Sequence, residues 1–360
     1  MCEPVMRRTA WSLSTVPSLH LKSPLLKALS LCSLFSLSLL SVPAIAESAG
    51  GNVQYAIESS KAASSLLLDV VNTGKRLVAA GDRGHILVSD DQGRTWTQSK
   101  VPTRQLLTAI YFVDEQRGWA VGHDAQILAT TDGGLTWTQQ YEDLELEAPL
   151  LDIWFKDAQV GFAVGAYGVL LATEDGGQTW DDVSDRLENE DAYHLNAITA
   201  VKDGGLFIVG EMGVMFRSRD DGQTWEAVPQ RPYEGTLFGV LGTDQADTVL
   251  AYGLRGHLFR STDLGNTWRQ IKVRVNGNGG GSLEFGLSNG VLLDDGSVVI
   301  VGNGGTVLHS DDGGVSFSLY NRPDRLSLAA VAPAAAGQLL LVGQSGVRLV
   351  STTGADLAEQ

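Results

Sequence analysis

The sequence predicts an all-β fold, a seven-bladed β-propeller, because one short pattern recurs seven times at a nearly constant interval. In every copy a glycine is followed eight residues later by Ser or Thr: Gly81/Ser89, Gly122/Thr130, Gly165/Thr173, Gly210/Ser218, Gly253/Ser261, Gly302/Ser310 and Gly343/Ser351. Successive Ser/Thr positions lie 41 to 49 residues apart. A repeat of this length with four strand-like segments is typical of a propeller blade.

Five copies of the Ser/Thr begin a longer motif, Ser/Thr-x-Asp-x-Gly-x-x-Trp, which we call the box. The five boxes end at Trp96, Trp137, Trp180, Trp225 and Trp268, the sixth ends at Phe317, and the seventh keeps only Ser351. We expect the Asp to accept hydrogen bonds from turn N–H groups, the Gly to be left-handed and the aromatic ring to pack back on the sheet. Because the box recurs in blade after blade, it is predicted to be structural rather than catalytic.

The second repeat shows the order of strands within a blade. Residues 107–113 read as the inner strand, 119–122 as the second, 126–130 as the third and 136–140 as the fourth, with a polar turn at 114–118. The second and third strands are joined by Gly-x-x-Gly in six copies, and by a sequence ending in Ala125 in the second. This predicts a tight hairpin, since glycine adopts positive φ at no steric cost.

The ends of the chain suggest how the ring closes. The seventh repeat has three strand segments and no fourth, while residues 52–58 precede the first repeat and alternate Val53, Tyr55 and Ile57. Alternation of this kind is typical of a strand. We therefore predict that the last blade is completed by this N-terminal strand, which would remove an open sheet edge.

The first 46 residues are predicted to be a secretory signal peptide, and residues 47–360 a single propeller domain. Arg7, Arg8, Lys22 and Lys27 precede an apolar run that ends at Ala44-Ile45-Ala46, the pattern of a cleavable export signal. Both cysteines lie inside this segment, so the exported product has neither a disulfide nor a thiol nucleophile. We expect it to be periplasmic or otherwise exported, for example on the lumenal side of a membrane.

Charge and composition limit the partners. The chain has a formal net charge of −16, and removal of the predicted signal would leave about −19, which makes nucleic acid an unsuitable partner. The histidines show no metal-ligand spacing, and no cofactor is predicted. The acidic loops 141–147 and 181–194 leave calcium binding open, although no Asp-x-Asp-x-Asp-Gly loop is present. We expect a monomer that does not span a membrane.

The loops of a propeller divide between two faces, and here only one face varies. The boxes and the turns between the first and second strands share one face. The Gly-x-x-Gly hairpins and the connections between blades share the other, which we call the hairpin face. Variable loops on a rigid frame are where function is usually found. The predicted binding residues on the hairpin face are Arg83, Arg104, His123, Arg231, Arg255, Arg322 and Arg325. The alternative is ordinary solvated loop charge.

Two stretches carry a family resemblance. Gly118-Trp-Ala-Val-Gly122 followed by Ile127-Leu-Ala-Thr-Thr-Asp-Gly-Gly-Leu-Thr-Trp137 resembles the photosystem II assembly and stability factors of cyanobacteria and plastids. The third repeat has the same pattern between Gly161 and Trp180. The resemblance implies a non-enzymatic seven-bladed propeller that helps assemble a membrane complex. Its partner would be an envelope or thylakoid complex subunit that docks on the arginine-bearing face.

The competing hypothesis is a glycan-active enzyme. The box is shared with sialidases, yet their Arg-Ile-Pro or Arg-Leu-Pro tripeptide is missing from this sequence. Glycoside hydrolases that use paired acids remain an alternative, with Asp69, Asp152 and Glu284 as candidates only because they lie in or near inner strands.

Overall fold

The computed structural model describes residues 53–275, 283–335 and 337–357. The predicted signal peptide and the glycine-rich connection at 276–282 lie outside the described residues, so the prediction about the signal remains a prediction. Among the residues described, no helix has the length and apolar character needed to cross a bilayer.

Seven sheets follow one another along the chain, all antiparallel except for one added parallel strand in blade 6, which confirms the predicted seven-bladed architecture. The first four blades contain β1 (Leu67–Asn72), β2 (Leu77–Gly81), β3 (Ile86–Ser89) and β4 (Thr97–Gln98); β5 (Leu107–Phe112), β6 (Gly118–Gly122), β7 (Ile127–Thr130) and β8 (Thr138–Tyr141); β9 (Leu150–Phe155), β10 (Gly161–Gly165), β11 (Leu170–Thr173) and β12 (Asp181–Asp182); and β13 (Leu195–Val201), β14 (Gly205–Gly210), β15 (Met215–Ser218) and β16 (Glu226–Ala227).

Blade 5 keeps the four-strand pattern, and the last two blades depart from it. Blade 5 contains β17 (Leu237–Gly242), β18 (Val249–Gly253), β19 (Leu258–Ser261) and β20 (Arg269–Gln270). Blade 6 gains a fifth strand, β21 (Val273–Val275), which pairs in parallel with its outermost strand; its others are β22 (Leu287–Leu292), β23 (Val298–Gly302), β24 (Thr306–Ser310) and β25 (Phe317–Asn321). Blade 7 contains β26 (Leu328–Pro333), β27 (Gln338–Gly343) and β28 (Gly346–Ser351).

The innermost strands form the wall of the ring. They pack in chain order, and β26 packs against β1, so the ring is closed. Each innermost strand contains a bulge at the same place. In every blade the first Leu of the strand pairs with the hairpin glycine, and the bulge follows that Leu directly, as between Leu67 and Asp69 in blade 1. Such bulges redirect side chains. Here they turn residues 68 and 69 and their counterparts toward the axis of the ring.

The box turns have the hydrogen bonds expected from the sequence. In blade 1, Asp91 accepts from the Thr95 hydroxyl and backbone N–H, while the Ser89 hydroxyl donates to Asp91 and accepts from the N–H of Gly93. Gly93 is left-handed, with φ of 87°, and its carbonyl accepts from the Trp96 indole. The carboxylate network recurs through the sixth box, whose carboxylate is Asp312.

The hairpins differ in one respect from the prediction. Five are single turns of 3₁₀-helix: Asp82–Gly84, Ala166–Gly168, Glu211–Gly213, Leu254–Gly256 and Asn303–Gly305. Blade 2 has a turn at 123–125 that is not 3₁₀-helical. Positive φ falls on the third and fourth residues of the motif, such as Arg83 (58°) and Gly84 (71°). The first glycine is extended. A Cβ on Gly81 would lie 2.4 Å from the Leu66 carbonyl oxygen, so close approach requires that glycine.

The predicted closure of the last blade is wrong. Residues 53–58 form no strand; they run beside blade 1, where the Ala56 N–H donates to the Val101 carbonyl at 2.9 Å. Within the described residues blade 7 has three strands, and its outer edge is met by the C-terminal segment through a single bridge between Val350 and Asp356. The side chains of Val53 and Ile57 are exposed, so the alternating apolar residues of this segment do not pack into a core.

Candidate functional site

Five of the predicted arginines lie at the surface of the hairpin face, distributed around the ring. Arg83 and Arg255 occupy left-handed positions at the tips of their hairpins, and Arg325 is left-handed in the connection to blade 7. The Arg83 side chain is 78% exposed and pairs only with its neighbour Asp82 at 3.3 Å. Arg231 is exposed in the connection before blade 5. Arg104 is exposed and donates to the Tyr55 carbonyl, and His123 is exposed in the blade 2 hairpin.

Arg322 is a correction to the predicted binding set. It is 1% exposed, because its guanidinium is enclosed by the C-terminal segment. It donates to the Gly354 carbonyl at 2.7 Å and pairs with Asp356 at 2.7 Å and with Asp324 at 3.0 Å. All of these partners belong to the same chain. The residue therefore anchors the C-terminus and is not available to a docking partner.

An apolar set on the same face was not foreseen. Each of its members follows a hairpin glycine or lies at the start of an inner strand, where the register places it on the hairpin face: Leu66, Tyr167, Met212, Phe238, Leu254 and Phe285. Tyr167 is the most exposed, at 61%. Groups of large apolar side chains left in water mark interaction surfaces more often than chance. The variable third position of the hairpin motif was the signal that could have found Tyr167 and Met212.

Two members of the apolar set, Leu66 and Phe238, line a two-part cavity at the mouth of the ring. The outer part, which we call the vestibule, has a volume of about 540 Å³ and is lined by residues including Leu66, Phe238 and Leu328. The inner part, the axial chamber, has about 140 Å³. The two parts share Leu68, Phe238, Ser288 and Ala329 in their walls, so they are continuous.

Two carboxyl groups line the axial chamber. Asp69 accepts the N–H groups of Val70 and Ile110, and Asp152 accepts those of Ile153 and Ile198, all at 2.8 Å. Burial raises the pKa of Asp69 to about 7, against the opposing effect of its two amide donors. Burial likewise raises the pKa of Asp152 to about 7, and the negative charge of Asp69 adds to the effect. Glu284, the third acid named from the sequence, is not among the lining residues.

These carboxyl groups belong to a series of bonds between neighbouring inner strands. Asp69 joins blade 1 to blade 2, and Asp152 joins blade 3 to blade 4. The Thr108 hydroxyl donates to the Leu150 carbonyl, and the Asn196 amide to the Leu237 carbonyl. The Val331 N–H donates to the Asn289 amide oxygen, and the Asn72 amide donates to the Pro333 carbonyl, which joins blades 6, 7 and 1. Polar side chains at several positions of the inner strands therefore have a structural function, and Asp69, Asp152 and Asn289 share the one two residues after the first Leu of the strand.

The repeats, the carboxylate-capped turns and the closed ring together define a seven-bladed β-propeller. The chain belongs to the family described as photosynthesis system II assembly factor YCF48, whose model matches residues 94–145 and 139–280, just over half of the sequence. A comparison with curated proteins returned no match.

Several solved structures share the fold. The structure described as YCF48 bound to D1 peptide is 19% identical, with a TM-score of 0.62 over 83% of this chain and 96% of that one. YCF48 from Cyanidioschyzon merolae is 17% identical, with a TM-score of 0.60 over 82% of this chain and 97% of that one. The GH74 xyloglucanase from Xanthomonas campestris is 14% identical, with a TM-score of 0.61 over 85% of this chain and 55% of that one. At these identities the likeness concerns the fold alone.

Proposed function

We propose that this protein is an exported, non-enzymatic scaffold that docks a subunit of a membrane protein complex on its hairpin face. The observation that carries the proposal is the composition of that face, where exposed arginines stand beside exposed aromatic and aliphatic side chains. Arginine and aromatic residues are enriched at protein interfaces and dominate their binding energy. The family supports the same class of function, and one solved structure with this fold is described as bound to a D1 peptide.

The arginines also provide local positive charge on a strongly acidic molecule. A chain with a formal net charge of −16 repels acidic partners at long range unless basic groups are presented locally. Arg83, Arg255 and Arg325 are carried on left-handed turn positions at the surface. An arginine there can form paired hydrogen bonds with a carboxylate, which lysine cannot reproduce. A polypeptide with acidic and apolar residues is therefore the expected ligand.

The first test is a binding titration with a labelled D1 peptide, followed by affinity capture from detergent-solubilised membranes. The variant Arg83→Glu/Arg255→Glu/Arg325→Glu is expected to weaken peptide binding at least tenfold, since it replaces attraction with repulsion at three exposed positions. The matched control, Lys75→Glu/Arg94→Glu/Arg117→Glu, makes the same charge change on the opposite face and should bind as wild type does. Equal affinity for both triple variants would overturn the proposed docking face.

The glycan-active alternative fits the site less well. The two acids lie in the inner chamber of about 140 Å³, behind the vestibule. Their carboxylate oxygens are engaged by backbone amides. Release of reducing sugar from xyloglucan by the wild type, and its loss in Asp152→Asn, would favour the enzyme instead.

A further inference from the structure

The bonds between blades do not by themselves explain why Asp69 and Asp152 are acids. Blade 6 has Asn289 at the equivalent place after the bulge, and its amide oxygen accepts the Val331 N–H as each aspartate accepts its own partner. A carboxamide therefore suffices for the bond between blades, and only the bond that each aspartate accepts from the N–H of the next residue, on its other oxygen, uses the second acceptor of a carboxylate. An ionisable group in the same position costs desolvation whenever it is charged. Two such groups, both facing one chamber, call for a further reason.

A third polar group faces the same chamber with no partner. Tyr252 is only 2% exposed, lines the axial chamber, and its hydroxyl makes no hydrogen bond with the described residues. The ring reaches the axis because two inner strands carry glycine. A Cβ on Gly239 would lie 2.3 Å from the ring, and one on Gly290 would lie 3.0 Å from the hydroxyl oxygen. A hydroxyl that opens onto the chamber without a protein partner is free to accept a hydrogen bond from a ligand that enters it.

The chamber holds acceptors and negative charge, with no basic side chain in its wall. Its titratable lining residues are Asp69, Asp152 and Tyr252. Nearby, burial and, to a smaller extent, the charge of Asp152 raise the pKa of Tyr111. Each aspartate accepts two amide N–H groups, which leaves about half of the lone pairs of a carboxylate free. The vestibule outside is lined mainly by apolar side chains and open to the hairpin face. The cavity is thus apolar at its mouth and acidic at its base.

We propose that the axial chamber binds a primary alkylammonium group, with the ammonium among Asp69, Asp152 and the Tyr252 hydroxyl and the alkyl stem in the vestibule. An ammonium has three N–H donors and no acceptor, which matches two carboxylates and one hydroxyl oxygen. A bare divalent cation is a poorer match, because the described residues contain no cluster of three or more His, Cys, Asp or Glu able to hold one. The inference goes beyond the docking function and needs no partner for its test.

The experiment is a titration of the full-length chain with n-butylamine, followed by the NMR shifts of the Ile110 and Ile198 amides. These amides donate to the two aspartates, so they report on the chamber directly. We expect saturable shifts with butylammonium and none with 1-butanol, and at least tenfold weaker binding by Asp69→Asn/Asp152→Asn. Binding should be tighter at pH 8 than at pH 6, since the carboxyl groups ionise while the amine stays protonated. Glu190→Gln, an exposed acid in a connection on the same face, is the control and should bind as wild type.

The remaining arms decide between outcomes. Tyr252→Phe keeps both carboxyl groups and the aromatic ring and removes only the hydroxyl. A several-fold loss of its affinity for butylammonium supports the site, even if the double variant does not fold. Binding of N-acetyl-lysine N-methylamide would identify a lysine side chain of a polypeptide as the source, and binding of butylamine alone would identify a free amine. Equal shifts with 1-butanol, or shifts with calcium chloride that butylamine does not produce, would overturn the proposal. Failure of peptide docking would leave these titrations unchanged, so the two proposals fail separately.

Discussion

Two residues at the axis, Asp69 and Asp152, oppose the stability of the fold as the pH rises. The pKa of each is about 7 in the folded protein against an ordinary value of 3.8. The unfolded chain therefore releases these protons near pH 4, while the folded chain keeps them until about pH 7. Stability falls across this window and levels off above it, because the folded state binds more protons there.

The variant Asp69→Asn/Asp152→Asn should remove this dependence. Asn289 shows that an amide makes the bond between blades, but an amide cannot also accept the second N–H that each aspartate takes on its other oxygen. The variant therefore loses one hydrogen bond at each site at every pH, and the expected difference lies in the pH dependence. From pH 4 to pH 8 the stability of the variant relative to wild type should rise by on the order of 1–3 kcal/mol, a fraction of the full value of about 1.4 kcal/mol per pKa unit. Thermal melts across pH 4–8 measure the difference; parallel curves for the two proteins would contradict the assignment.

The hairpins offer a second prediction at the residue level, in Gly84 and Ala125. Both are left-handed, with φ of 71° and 50°. A Cβ on Gly84 would lie 2.3 Å from the Thr103 carbonyl oxygen, whereas the buried Ala125 already has one. Gly84→Ala should cost more than about 2 kcal/mol through this clash and the left-handed penalty. Ala125→Gly should stay within about 1 kcal/mol of wild type. Denaturant unfolding of both variants is the measurement, and similar midpoints would contradict the explanation.

Individual residues also show where sequence reasoning stops. The exposed positions of Arg83 and Arg255 follow from a hairpin motif that can be counted along the chain. The burial of Arg322 does not, since its partners Gly354 and Asp356 lie beyond the last repeat, in a segment with no recurring pattern. Tyr252 reaches the axis only because Gly239 and Gly290, in two different blades, leave room for it. Such a contact has no local signature.

Among the elements, the C-terminal segment covers the outer edge of blade 7, which has three strands within the described residues. Arg322 holds this segment through Gly354 and Asp356, and Val350 pairs with Asp356. Arg322→Ala should destabilise blade 7 by about 2–4 kcal/mol, because it removes the buried member of an ion-pair network. Limited proteolysis should then cut near residues 352–357. Arg325→Ala, which removes an exposed arginine three residues away, serves as the control and should resist cleavage as wild type does.

The box turns are the elements that set the acid limit of the fold. The Thr95 hydroxyl and the other donors around Asp91 lower its pKa to about 2, and the pKa values of Asp175, Asp220 and Asp312 are lowered to about 2 in the same manner. Their stabilisation is present above pH 4 and is lost as the pH falls from about 4 to 2.

This loss can be separated from the effect of the axial acids. Asp220→Asn should move the acid unfolding midpoint of the protein to a higher pH. The neutral amide resembles a protonated Asp220, so the variant lacks the stabilisation of one box turn before the titration begins. Circular dichroism during acid titration gives the midpoint. Asp185 is exposed in a connection outside the boxes, so Asp185→Asn should leave the acid unfolding midpoint unchanged. An equal shift in both variants would show that net charge, and not the box turn, sets that midpoint.

For the whole molecule, the number of blades was predictable and the closure was not. Seven repeats with near-constant spacing define seven blades because each inner strand must pack on the next. The N-terminal residues were expected on blade 7 because Val53, Tyr55 and Ile57 alternate. They lie beside blade 1 instead, where side chains of blade 1 and of the following connection bond their backbone, including Gln98 and Arg104. Alternation over a few residues does not specify a partner strand when several edges compete.

The way the ring closes has a consequence for its unfolding. Blades 7 and 1 are joined by apolar packing, in which Leu340 and Val342 meet Leu67 and Leu77, and by the bond from Asn72 to Pro333. No strand passes from one to the other within the described residues. Every other interface is also crossed by the chain itself. The interface between blades 7 and 1 is therefore expected to open first.

Two matched core variants test this expectation. Leu340 and Leu250 each lie three residues before their hairpin glycine and are fully buried, Leu340 between blades 7 and 1 and Leu250 between blades 5 and 6. Either change to Ala should cost about 2–5 kcal/mol in global stability. In Leu340→Ala, native-state hydrogen exchange should also accelerate in β1 and β26, because the two blades can separate without the rest of the ring unfolding. In Leu250→Ala, hydrogen exchange in the flanking strands β18 and β22 should occur only through global unfolding, so its rate should change by no more than the loss of global stability predicts. Equal local acceleration at both interfaces would mean that the closure is as strong as a chain-linked interface.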